Sequence, residues 1–178
     1  MTEYIETDVL VIGCGVAGGV AALGLADAGV LVTLVTRAVE PIDSNTYWAQ
    51  GGIVYRGLDD SVQTLVDDIT RAGAGHSNPA AVAILAEEGP DLVRRHLIDR
   101  VGVEFDQDSD GAYSLVREGG HSMARILHAA DATGKAIETA LLEELQAHPR
   151  VTILTGHTAV DLLTPSHHSR NRLAVYEP

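Results

Sequence analysis

The chain has 178 residues, enough for one domain with a sizeable core, and 46% hydrophobic with 21% charged residues are ordinary globular values. Its 12 basic and 25 acidic residues leave a formal charge of −13 and a pI near 4.8, which argues against nucleic acid or an anionic membrane surface as a partner. Cys14 has no second cysteine to pair with, which fits a reducing compartment, and the opening MTEYIETD lacks a basic signal region, so the cytoplasm is the expected location.

Val9–Ile12 is an apolar, β-branched run and predicts a strand. It ends in Gly13-Cys14-Gly15-Val16-Ala17-Gly18, a G-x-G-x-x-G turn after a strand and before a helix, where a dinucleotide fingerprint belongs. Gly13 permits the tight turn, Gly15 leaves room for a pyrophosphate against the backbone, and Gly18 lets helix and strand pack closely. The helix is expected over Val16–Ala28 with Gly29 as its stop, its free N–H groups and dipole facing the phosphates. The uncharged run Val9–Ala26 also suggests a membrane span, but its glycines, acidic flanks and missing basic stop-transfer cluster argue against one. Val30–Val35 reads as a second strand, buried on both faces. Thr36-Arg37 follows where a simple NAD site would carry an acidic residue for the ribose.

Glu40–Gly52 is polar and turn-rich, suited either to close approach to a ligand or to a surface connection. Asp60 with Gln63 resembles an N-cap pair, and Val62, Leu65, Val66 and Ile69 follow at helical spacing to near Arg71. Asn78-Pro79 opens another helix, which Pro90 is expected to kink or divide before Leu92–Leu97. Val103–Gln107 and Tyr113–Arg117 predict a hairpin turning at Asp110-Gly111. Gly134–His148 is helical, with Ile137, Ala140, Leu141 and Leu145 on one face and Glu138, Glu143 and Glu144 largely elsewhere. Val151–Thr155 is a strand, and Thr158–Leu163 is its continuation or partner.

This order predicts an α/β fold, a Rossmann-like domain with a parallel sheet over residues 1–163, a helical and hairpin insertion at about 54–133, and a polar tail over 164–178. His121, Arg125 and His128 would share a face if their stretch were helical, but no Cys or carboxylate completes a metal-ligand spacing, so no metal site is expected. Asp67-Asp68, Asp106–Asp110 and His167-His168 read as solvated groups.

Two further stretches are more specific than the glycine turn: Ser44–Ile53 (SNTYWAQGGI), and Arg117–Ser122 (REGGHS) with Arg125–Gly134 (RILHAADATG). With Gly13–Gly18 they resemble the L-aspartate oxidase family of the succinate dehydrogenase/fumarate reductase flavoprotein group, from Asp8 to about Leu163. The resemblance implies an FAD-binding domain in which Thr36 and Arg37 replace the missing acid and Arg37 lies near the adenosine half. It implies that the loop Asn45, Thr46, Tyr47, Trp48, Ala49, Gln50, Gly51, Gly52 wraps the flavin side, and that Thr158 and Ala159 touch the adenine side. Cys14 stands where the family often has serine, and Asn45 where its covalent members have histidine, so FAD is expected to be bound non-covalently.

The implied activity is oxidation of L-aspartate to iminoaspartate, the first step of de novo NAD synthesis, with a hydride passing from the substrate α-carbon to flavin N5. Oxygen or fumarate is the implied electron acceptor, quinolinate synthase the implied pathway partner, and Glu118 the residue that orients L-aspartate. The carboxylate-gripping arginines and histidines of the family lie downstream of anything present here, so the resemblance implies a truncated relative. A chain complete at this length is expected to expose a sheet edge and apolar surface, with low stability, association or dependence on a missing segment. Two other readings stay open: a succinate or fumarate flavoprotein, and a non-enzymatic nucleotide-binding fragment.

Overall fold

A computed structural model of the chain describes residues 4–163; the predicted polar tail and His167-His168 lie outside the described residues. The elements run β1 (Val9–Ile12), α1 (Val16–Asp27), β2 (Val32–Val35), β3 (Ile53–Val54), α2 (Val62–Ala72), α3 (Pro79–Leu92), β4 (Leu115–Val116), β5 (Ile126–Leu127), α4 (Thr133–Ala147) and β6 (Val151–Leu154). They form an α/β fold with two small sheets. One is parallel in the order β1-β2-β6, with Leu34 opposite Val11 on one side and Ile153 on the other. The second is antiparallel in the order β3-β5-β4, with Leu127 between Ile53 and Leu115.

β2 is the central strand and is buried through Val32, Thr33 and Leu34, as its unbroken apolar pattern requires. α1 and α4 pack together beside this sheet. Gly19 allows their close approach, because a Cβ there would overlap the Leu141 side chain. Ala22, Leu23, Ala26, Leu141 and Leu145 fill the contact, and each of the two α4 leucines contributes about 2 kcal/mol by the area it removes from water. The same core continues through Leu127 to Val93, Leu97, Val101, Val103 and Phe105.

β1 alternates, with Val9 and Val11 half-buried while Leu10 and Ile12 are 48% and 63% exposed. Among the described residues β1 is an edge strand of the parallel sheet, with these two apolar side chains on its open face.

Several local expectations are corrected. The cap of α2 is Ser61, whose hydroxyl accepts from the Thr64 N–H, and not Asp60, whose carboxylate is committed to Arg125. Pro90 does not divide α3; the helix runs on as a wider π-helical segment, Val93–Arg100, after the proline has removed one N–H donor. Val103–Gln107 is extended but meets Tyr113 only through a single bridge at Gln107, because Val103 N donates to Leu97 O and Asp106 N to His128 O. The partner of Leu115–Val116 is instead β5, inside the stretch expected to be irregular. The stretch holding His121, Arg125 and His128 is not helical, and Thr158–Leu163 forms no strand.

Candidate functional site

β1 ends at Gly13, whose φ of +108° only glycine adopts without strain, and whose N–H donates to Val35 O at the end of β2. Gly18 is required by space, since a Cβ there would overlap the Gly13 carbonyl. The N-terminus of α1 thus packs closely on the strand end it follows, beside the gap above the sheet. Gly15 is the N-cap and has no side chain with which to cap the helix. The Thr46 hydroxyl supplies the cap from the facing loop, accepting from the Val16 N–H at 2.9 Å. That loop is itself turned by Ser44, whose Oγ accepts from Tyr47 N at 3.2 Å, and by Trp48, whose indole N–H donates to Asp43 at 3.1 Å.

At the far side of the gap, β2 ends in Thr36, which is buried, and Arg37, which is exposed. Thr36 O accepts from His157 N at 3.0 Å and Ala38 O from Gly156 N at 2.9 Å, which ties the segment after β6 to the end of β2. The result is one open cleft of about 460 Å³. It is lined by Gly13, Cys14 and Gly15 from the glycine turn, Thr36 and Arg37 from β2, Asn45 and Thr46 from the loop, and Thr158 and Ala159 after β6. Four stretches far apart in the chain, each expected to touch the same cofactor, are brought together.

The other expected contacts fall elsewhere. Val16, Ala17 and Gly18 form the first turn of α1 behind the cleft lining. Tyr47 and Trp48 make an edge-to-face pair at 5.1 Å, with the Lys135 ammonium 5.9 Å from the Tyr47 ring. Ala49 uses its carbonyl to accept from Gly134 N at 2.9 Å, at the start of α4. Gln50, Gly51 and Gly52 are exposed, and Gly52 is required where the loop lies on β5, since a Cβ there would overlap Ile126 and the Leu127 carbonyl. The cleft also has members the sequence did not single out: Ile12, Val35, Asp43, Ser44 and His157.

Glu118 lies outside this cleft, in a shallow hollow with Arg71, Arg117, Gly119, Gly120 and His121. The turn that carries it is held from beneath by charges. Arg125 is fully buried and donates to both oxygens of Asp60, at 2.7 and 2.9 Å, and to Asp68 at 2.6 Å. Asp68 also accepts from Ser122 N at 2.8 Å and Ser122 Oγ at 2.9 Å, and it pairs with Arg71, which donates to Gly120 O at 3.2 Å. Burial alone would raise the Asp68 carboxyl, but the Ser122 N–H, Arg125 and Arg71 outweigh it and hold the group well below the usual carboxylate range. Asp68 is therefore not the solvated charge expected. His128 is joined to Asp106 at 3.0 Å, so this part of the acidic run is also paired.

Glu138 is the second buried carboxylate. It is fully buried on α4, and both oxygens lack a hydrogen-bond partner among the described residues. Burial raises its pKa from 4.5 to about 7, with the Ser44 hydroxyl drawing it down only in part. Burial likewise raises the Cys14 thiol to about 11, and the neighbouring Glu138 charge adds to that. No cluster that could hold a metal ion occurs among the described residues, and no helix among them is long and apolar enough to cross a membrane.

The sequence model of one family, described as FAD binding domain, matches residues 8–175. The chain belongs to that family. L-aspartate oxidase of Halobacterium salinarum is 43% identical to it over 92% of this chain and 31% of the relative. The chloroplastic L-aspartate oxidase of Arabidopsis thaliana is 44% identical over 92% of this chain and 24% of the relative. Among solved structures, a quinol-fumarate reductase superposes with a TM-score of 0.83 at 24% identity, covering 92% of this chain and 28% of that one, and so shares the fold. The chain spans between 24% and 31% of the curated relatives it matches.

The FAD-binding domain has a cleft whose shape suits the family's cofactor. A turn too tight for side chains at Gly13 and Gly18 lies against the helix start that would face a pyrophosphate, and Arg37 stands free at the rim with no ion pair among the described residues.

Proposed function

We propose that this chain binds FAD non-covalently in the cleft between the glycine turn and residues 36–46, as the FAD-binding part of an L-aspartate oxidase. The observation that carries the reading is the 43% identity with an L-aspartate oxidase across 92% of the chain. In this reading Gly13, Cys14 and Gly15 offer backbone to the pyrophosphate, Thr36, Arg37, Thr158 and Ala159 receive the adenosine end, and Asn45 and Thr46 lead toward the flavin. An amide at position 45 cannot form the covalent histidine link, which supports non-covalent attachment. When bound, FAD supplies the two-electron acceptor for oxidising L-aspartate to iminoaspartate, the chemistry the fold itself lacks.

Glu118 is the residue we assign to the substrate ammonium group. It shares its hollow with Arg117 and His121, the mixture of charges an amino dicarboxylate would meet. Oxygen or fumarate then reoxidises the flavin, with quinolinate synthase as the enzyme that consumes the product, in the cytoplasm or, as for the Arabidopsis relative, in a plastid.

Titrating the purified chain with FAD and following flavin fluorescence tests the cofactor assignment; an unchanged signal would refute it. Extending the chain to the length of its relatives and supplying L-aspartate tests the reaction, with hydrogen peroxide as the expected product. Turnover of succinate in place of aspartate would move the assignment to the succinate and fumarate flavoproteins.

A further inference from the structure

Glu138 is left without a task by the fold and by the proposed reaction. It sits on α4, which runs beside α1, and the contact of Leu141 with Gly19 places the preceding turn of α4 next to the start of α1. One turn earlier on α4, Gly134 lies under the facing loop, where a Cβ would overlap the carbonyls of Thr46 and Ala49. The Glu138 charge raises the Cys14 thiol of the glycine turn, and the Ser44 hydroxyl of the loop draws the Glu138 carboxyl down in part. Ser44 Oγ already accepts from Tyr47 N, and Thr46 of the same loop caps α1. A buried acid on α4 therefore stands close to two segments that line the cleft. Among the described residues neither of its oxygens makes a hydrogen bond or an ion pair, and only the nearby Ser44 hydroxyl favours the charged form.

We propose that Glu138 couples binding of the cofactor's pyrophosphate to uptake of one proton, so that the glycine turn holds FAD best when this carboxyl is neutral. The inference rests on the reading of the cleft as an FAD site and adds to it a linked proton. A pyrophosphate on Gly13–Gly15 brings two negative charges toward a buried carboxylate that has no ion pair among the described residues, and like charges at short range disfavour ionisation. In the free protein Glu138 stands near its midpoint at neutral pH. The bound anion pushes it further toward the acid form, the proton comes from solvent, and by reciprocity protonation tightens binding.

The groups that face Glu138 are Cys14 from the glycine turn and Ser44 from the loop; the thiol of Cys14 is raised to about 11 and stays neutral over the range concerned. The cleft itself holds Arg37, Asp43 and His157 on its other walls. Protonation of His157 would favour the same anion, so the test must separate the two.

The FAD dissociation constant of the full 178-residue chain is measured between about pH 6 and about pH 8.5, with proton uptake read calorimetrically in two buffers of different ionisation enthalpy. Each pH unit between the free and bound midpoints of Glu138 weakens FAD by ~tenfold, so a loss of at least ~threefold is expected over this range. Glu138→Gln should bind FAD with little pH dependence and no linked proton, and His157→Gln should keep both. Glu138→Leu gives the same readout if the glutamine variant does not fold, and the wild-type proton count needs no variant. A pH dependence unchanged in Glu138→Gln, or abolished in His157→Gln, overturns the proposal while leaving the FAD site intact. FAD binding at no pH removes the site and the proposal together.

Discussion

An ionised Glu138 has no ion pair among the described residues and is favoured only in part by the Ser44 hydroxyl, and this makes a single residue set part of the protein's pH response. Its folded pKa of about 7 lies above the ordinary 4.5, so its contribution to stability is complete below the unfolded value and is lost as pH rises through the folded one. The full loss is about 3 kcal/mol, of which about 1 kcal/mol falls between about pH 6 and about pH 8.5. Glu138→Leu should abolish that decline and be the more stable protein at the alkaline end, as shown by denaturant midpoints at the two pH values. A wild-type midpoint that rises with pH relative to the variant would contradict the assignment. Gly18 gives a second prediction at this scale. Alanine there meets the Gly13 carbonyl, which is backbone and cannot swing away, so Gly18→Ala should cost about 2 kcal/mol of stability and at least tenfold in FAD affinity. Thermal melts and fluorescence titration measure the two losses.

The elements show how a turn is held by charges it does not contain. Residues 118–122 have no strand or helix of their own, yet Ser122 and Gly120 are bonded to Asp68 and Arg71 of α2, and Arg125 joins α2 to β5. Asp68→Asn would leave Arg125 with Asp60 as its one carboxylate partner among the described residues in a buried site, and should cost about 3 kcal/mol. Amide hydrogen exchange across 118–122 should then speed up while β1 and β2 are unchanged; uniform exchange would show that the cluster is not what holds this turn. The Asp68 share of stability is present above its unfolded value of 3.8 and is lost as pH falls through the depressed folded value.

This cluster also shows what the sequence withholds. Val9–Val35 was legible because strand, glycine turn, helix and strand are each local patterns with a local cause. Asp68, Arg125 and Glu138 were not, since charged residues are assigned to solvent unless a partner is known, and their partners lie far away in the chain. Glu138 did leave a trace: with Leu142 and Leu145 it stands at i, i+4 and i+7, on a helix face that proves buried. The expected hairpin at residues 103–117 forms only at its tip, where Gln107 bridges Tyr113. Val103 and Phe105 do alternate inward, but alternation reports burial and does not name the strand that supplies hydrogen bonds.

At the scale of the whole molecule, one cleft is assembled from four stretches that the parallel order β1-β2-β6 gathers at the same end of the sheet. In open parallel sheets ligands bind beyond the carboxyl ends of the strands, and here each strand end contributes: Gly13 after β1, Thr36 after β2, Thr158 after β6. The insertion carrying α2 and α3 contributes nothing to the cleft lining and holds Glu118 in a separate hollow. Cofactor binding should therefore stabilise the two parts unequally. FAD at a hundredfold excess over its dissociation constant adds about 2.7 kcal/mol to global stability, which for a chain of this size raises the melting temperature by ~5–10 °C. Local opening should be suppressed most at residues 12–19, 36–46 and 156–159, with residues 79–100 following only the global change. Hydrogen exchange with and without FAD resolves these segments. Protection centred on 117–121 instead would place the cofactor in the hollow beside Glu118, and would overturn the proposal that the cleft takes the cofactor and the hollow the substrate.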